Sequence, residues 1–172
     1  MISLTHAVVA QEKMSTKSGI VSFEASVPTF EEVGAINEAA TCVLNPKTGE
    51  IAALVMIKGF RFKAALMEEH FNDNYLESDR YPKATFRGRI DNFKFSDLSD
   101  LQQDYILRGK LSIHGKTREI TAPVSLRKNN NSIEITTDFV VNTNDYNIAI
   151  PKVVRNKISK EVRIHGEFSV KP

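Results

Sequence analysis

The chain has 172 residues, with 23 Lys plus Arg against 21 Asp plus Glu and one cysteine. That length suits a single domain burying roughly two thirds of the surface of its unfolded form, and it excludes the need for a disulfide or metal staple. A net charge of +2 gives no broad field for capturing nucleic acid or anionic membrane, and a lone Cys42 excludes an internal disulfide and paired-cysteine zinc spacings.

Met1 to Ala10 are mostly small or apolar and end in Ala7-Val8-Val9-Ala10, ahead of the polar run Gln11 to Ser18. Residues 1–18 therefore read as the remnant of a secretory signal peptide or as a disordered N-terminus. The first reading places the protein in the periplasm or outside the cell, the second in the cytoplasm. No later stretch approaches the ~20 apolar residues of a membrane span, so stable membrane insertion is not expected.

From Gly19 to the C-terminus the dominant period is two, as in strands with one face on a core and one on water. Val21, Phe23, Ala25 and Val27 share a parity. Ala40 to Leu44, the turn Asn45-Pro46-Lys47-Thr48-Gly49 and the apolar run Ile51 to Ile57 predict a hairpin. Between Phe62 and Tyr75 the residues Ala64 to Glu69 are good helix formers, with Phe62, Leu66, Met67 and Phe71 at helical spacing, which predicts one short helix near residues 64–73. Pro82 returns the chain to extended geometry. Ala84, Phe86, Gly88 and Ile90 then alternate with polar residues, and Ser96 to Gln103 reads as a loop.

In the C-terminal half Tyr105, Leu107, Gly109, Leu111 and Ile113 share one parity, and His114-Gly115-Lys116 turns the chain. Ile120, Ala122, Val124 and Leu126 lead to a second turn at Asn129 to Asn131. Ile133 to Val141 follow, then an irregular segment from Asn144 to Ile158 and a last strand with Val162, Ile164, Gly166, Phe168 and Val170 inward. Short strands at this spacing, each with one apolar face, predict an all-β domain over residues 19–172, an extended antiparallel β-barrel whose closure removes exposed edges.

Gly88, Gly109 and Gly166 fall on the inward parity and delete side chains from the interior. They are either bend points that let coiled strands close a small barrel or positions that leave room for a guest. The only polar residues on that parity of these strands are Thr137 and Tyr105, so a cavity there would take an apolar guest.

Ala65-Leu66-Met67-Glu68-Glu69-His70-Phe71-Asn72, Tyr75-Leu76-Glu77-Ser78, Tyr81-Pro82-Lys83-Ala84-Thr85-Phe86 and Gly109-Lys110-Leu111-Ser112-Ile113-His114-Gly115 keep an order and spacing that resembles the YceI-like family. The likeness spans about Gly19 to the C-terminus and departs from the family's front pattern at Thr29 to Ala39. The resemblance implies a lipocalin-like extended barrel holding a long polyisoprenoid chain such as a quinone tail, in a protein exported to the periplasm.

Parity and resemblance together name the candidate ligand-binding residues. They are Phe23 from the first strand, Phe62, Leu66 and Phe71 from the helical segment, Phe86 and Gly88, then Tyr105, Leu107, Gly109 and Leu111, then Phe139, and finally Ile164, Gly166 and Phe168. The expected function is to carry or sequester a long apolar molecule, a polyisoprenoid or similar lipid. The alternatives are a filled barrel acting through its surface, or an enzyme acting on a lipid, for which Tyr105 is the one conspicuous inward polar group.

No nucleophile elbow, glycine-rich phosphate loop or CxxC motif is present, so no catalytic residue, metal or cofactor is expected. His70 beside Glu68 and Glu69 cannot converge with them on a helix and reads as an anchor of the helix against the barrel. His114 and His165, each in an Ile-His-Gly triplet, read as turn and strand residues, with a surface metal pair as the alternative. Asp145, Tyr146, Lys152 and Arg155 read as a solvated loop, or as a segment closing the barrel mouth or meeting a polar head group. The partner is an apolar small molecule, not nucleic acid, and the oligomeric state, homo-oligomer included, is left open.

Overall fold

The computed structural model describes residues 12–172. Eight antiparallel strands form a closed barrel in sequence order, β1 (Met14–Ser26), β2 (Gly34–Leu44), β3 (Glu50–Met56), β4 (Lys83–Ile90), β5 (Gln103–Ile113), β6 (Lys116–Asn129), β7 (Ser132–Asn142) and β8 (Ile158–Val170). β8 closes on β1 through pairs such as Val21 with Gly166 and Phe23 with Ile164. The β2–β3, β5–β6 and β6–β7 turns are written by residues in a left-handed backbone, at Gly49 (φ 74°), His114 and Gly115 (φ 51° and 72°) and Asn130 (φ 53°).

The expected domain start at Gly19 falls inside β1 and is corrected. Met14 pairs with Leu44, and Ser15 exchanges backbone hydrogen bonds with Lys171. Met14 is 5% exposed in the core, so the polar look of Gln11 to Ser18 hides a strand whose first inward residue closes one end of the barrel. The remainder of the signal-like stretch lies outside the described residues.

The up-and-down path puts the β2–β3, β4–β5 and β6–β7 connections at one end and the long β1–β2, β3–β4 and β7–β8 connections at the other. The first end is filled. Leu44, Leu126, Ile133 and Val170 are fully buried there with Ile90, Leu98 and Leu107, and truncation of any of the leucines or isoleucines to Ala would cost about 2–5 kcal/mol.

At the second end the β3–β4 connection carries the one α-helix among the described residues, α1 (Ala65–His70), continued by a π-helical turn over Phe71–Tyr75. The wider turn follows from packing, because Phe71 and Leu76 are both drawn under the segment, at 9% and 8% exposure.

Candidate functional site

Inward residues toward the second end line a hollow. They enclose a cavity of about 680 Å³ that opens among the long connections, within the range of small-molecule sites. Phe86, Phe139, Ile164 and Phe168 point inward yet are only half-buried, because their free faces meet this hollow and not a packed neighbour.

The wall is built first by an aromatic cluster. Phe23 on β1 stacks on Phe71 with centroids 5.3 Å apart and an interplanar angle of 19°, and meets the edges of Phe60 and Phe62. Phe71 also contacts Phe60 and Phe62 at 5.8 and 5.0 Å. These rings fasten the helical segment to the barrel and make one side of the cavity. Leu107 and Leu111 on β5, with Phe86 on β4, supply the opposite side.

Of the expected residues, Phe23, Phe62, Leu66, Phe71, Phe86, Leu107, Leu111, Phe139, Ile164, Gly166 and Phe168 are brought together around the cavity. Leu66 lies at the mouth and not deep inside, since it remains 62% exposed. Gly88, Gly109 and Tyr105 are not in the wall and are corrected. Gly88 and Gly109 pair across β4 and β5, where a Cβ on either would strike the backbone carbonyl of the facing strand and Phe86 Cζ, the latter at 2.6 Å. Their missing side chains permit close approach and a seat for the Phe86 ring, so they leave no room for a guest. Tyr105 sits lower, against the filled core, and burial together with the nearby Asp97 carboxylate pushes its phenol up.

Polar groups in the wall are sparse. Thr137 donates its hydroxyl to the Pro123 carbonyl at 2.8 Å. Thr143 is 7% exposed, and its buried Oγ1 has no hydrogen-bond partner among the described residues. Burial pushes the Cys42 thiol up to about 12, which leaves it a small apolar surface. The charged groups Glu31 and Lys157 and the imidazole of His70 line the mouth. His70 is exposed there, so it does not anchor the helix as expected.

The β7–β8 connection forms part of the wall, in line with the mouth-closing alternative for Asp145, Tyr146, Lys152 and Arg155 and against the solvated-loop reading. Tyr146, Ile148, Ile150 and Val154 face the cavity, with Tyr146 only 2% exposed. The signal was available in the apolar content of Ile148, Ile150, Val153 and Val154, which a solvated loop would not carry. His114 holds this connection in place. Its Nδ1–H donates to the Tyr146 carbonyl at 2.9 Å while Nε2 lies 2.5 Å from the Glu77 carboxylate, and its ring meets the Tyr81 ring edge-on at 4.7 Å. The turn, the helical connection and the β7–β8 connection are thereby joined.

His165 lies on the outer face between Asp138 and Glu167, at 2.7 and 2.8 Å. The two histidines thus have separate partners, and among the described residues no group of three His, Cys, Asp or Glu could hold a metal.

The YceI-like domain family matches the chain over residues 8–170. Among solved structures, a polyisoprenoid binding domain from Saccharophagus degradans, implicated in plant cell wall breakdown, superposes with a TM-score of 0.79 at 15% identity, over 92% of this chain and 97% of the other. BcnA of Burkholderia cenocepacia superposes with a TM-score of 0.72 at 18% identity, over 90% and 96%. The YCEI protein of Campylobacter jejuni gives 0.61 at 14%, over 78% and 80%. No curated protein matches the sequence. Likeness at these identities establishes a shared fold.

Proposed function

The chain belongs to the YceI-like domain family, and we propose that its barrel holds a long apolar molecule, a polyisoprenoid or similar lipid, which it carries or sequesters. The observation that carries this reading is the cavity of about 680 Å³ bounded by aromatic and aliphatic side chains and open at one end. Each methylene of a guest withdrawn from water contributes roughly 0.8 kcal/mol, so chain length sets affinity. A guest's polar end belongs near the mouth, where Thr143 offers an unpaired hydroxyl and Lys157 a charge.

Binding, not catalysis, is the role that fits. Tyr105, the inward polar group singled out from sequence, stands outside the cavity wall, and among the described residues the titratable groups at the mouth, Glu31, His70 and Lys157, form no hydrogen bond or ion pair with one another. A filled barrel working through its surface is disfavoured by the hollow itself. A periplasmic or secreted location, as the resemblance implies, forms part of the same proposal and is checked by fractionating the native host.

The test is an organic extract of protein purified from that host, analysed by mass spectrometry. The proposal expects a long-chain lipid in near-stoichiometric amount. Extracts free of any apolar molecule, from protein that also takes up no polyprenol when mixed with it, would count against it.

A further inference from the structure

The β7–β8 connection combines an apolar tip with uncompensated positive charge beside the cavity mouth. The run from Lys152 to Lys160, which spans the end of the connection and the start of β8, carries Lys152, Arg155, Lys157 and Lys160 with no acidic residue among them, and is flanked by Asp145 and Glu161. None of the four is in an ion pair among the described residues. Val153 between them is 82% exposed, more than any other large apolar side chain described, while its neighbour Val154 lines the mouth. Phe30 from the β1–β2 connection, 43% exposed, lies beside the same loop with its ring 6.0 Å from Lys157 Nζ.

Half-way round the barrel the β3–β4 connection is different. There Arg61 pairs with Glu68, Lys58 with Asp79, and Lys63 reaches across to Glu32 of the β1–β2 connection. Three cations of the helical side are thus held in ion pairs, whereas the four of the β7–β8 run are in none, with Glu31 the acidic group that lines the mouth alongside Lys157. An overall charge of +2 gives no long-range pull, but screening confines electrostatics to about 8 Å in any case, so the local cluster decides what this loop meets.

We propose that the β7–β8 connection docks the barrel, mouth toward the surface, on an anionic lipid bilayer. Val153 and Phe30 enter the boundary between headgroups and acyl chains while Lys152, Arg155, Lys157 and Lys160 meet lipid phosphates. The acidic side chains Glu69 and Asp73 on the helical side tilt that part of the rim away from the surface. The opening of the cavity then faces the region from which an apolar guest enters or leaves, so transfer needs no passage through water. The docking surface rests on the reading that the guest is a lipid, but it is tested separately.

Delipidated protein is sedimented with vesicles of phosphatidylcholine alone and with vesicles of equal parts phosphatidylcholine and phosphatidylglycerol. Docking predicts binding to the mixed vesicles, little to the neutral ones, and loss of binding as salt is raised. Since each cation near the surface contributes roughly fivefold in partitioning, the K152E/R155E double variant should bind at least tenfold more weakly. Val153→Asp should also weaken binding with no change in thermal midpoint, because the side chain is exposed. Equal binding to both vesicle types, or unchanged binding by both variants, would overturn the proposal. So would self-association that Val153→Asp abolishes, since a second copy would then cover the patch. Uptake of polyprenol from detergent is measured in parallel. Uptake without docking removes only the docking surface, and docking without uptake removes only the lipid-carrier reading.

Discussion

Gly88 and Gly109 face each other in register across β4 and β5, and the ring of Phe86 lies over both, its Cζ 2.6 Å from where either Cβ would stand. The pair therefore serves strand approach and aromatic packing. Gly88→Ala or Gly109→Leu should destabilise the empty barrel by about 1–3 kcal/mol, because backbone cannot yield as a side chain can. Thermal melts of delipidated protein check this, and a midpoint unchanged from wild type would return these glycines to the guest's space.

Gly166 behaves differently. A Cβ there would meet only side-chain atoms, Phe168 Cε2 at 3.1 Å and Thr137 Cγ2 at 3.3 Å, and the position borders the cavity. Gly166→Leu should fold with a smaller loss of stability than Gly109→Leu and retain a shorter guest or none, as read by mass spectrometry of extracted lipid.

Phe71 is the hub of the rings that fasten the helical connection to the barrel. Phe71→Ala should cost about 3–5 kcal/mol and reduce guest retention, since one side of the cavity goes with it. An F71D variant should lose both stability and ligand more completely. Unchanged melting and unchanged lipid content in both would show that the cluster does not hold the wall.

His165 sets a small pH dependence. Its hydrogen bond to Glu167 and its hydrogen bond and charge interaction with Asp138 raise its pKa above the usual 6.5, against a lowering by partial burial. A raised folded-state value means the stabilisation is fully present below the unfolded pKa and is lost as pH rises through the folded one. The side chain is 34% exposed, so screening keeps the effect well under about 1 kcal/mol. Chemical denaturation across that window should show the decline, and His165→Gln should flatten it.

Cys42, fully buried with its thiol pushed up to about 12, should resist alkylation in the native protein. The thiolate that alkylation requires stays scarce well above neutral pH. Rapid labelling without denaturant would show that the cavity admits water to this depth.

The barrel was legible in sequence because one-faced alternation survives in β5, β6 and β8, and the helix because Ala64 to Glu69 are good helix formers. Parity alone could not separate a residue facing the hollow from one facing the filled end. Tyr105 and Leu107 share a face of β5, yet only Leu107 reaches the cavity, since position along the barrel axis decides. Parity also could not tell a glycine that borders the cavity, Gly166, from one pressed against the backbone of the facing strand, Gly109. Met14 escaped notice because polar outward neighbours masked a single apolar inward residue. The β7–β8 connection lacked any period, and its place over the mouth follows from contacts distant in sequence, His114 with Tyr146 among them.

The most direct measurement is the affinity of delipidated protein for a series of polyprenols of increasing chain length, by native mass spectrometry. A hollow barrel predicts one guest per chain, with affinity rising as each isoprene unit is buried until the cavity is full and constant beyond that length. Absence of binding across the series, or affinity indifferent to length from the shortest member onward, would contradict it.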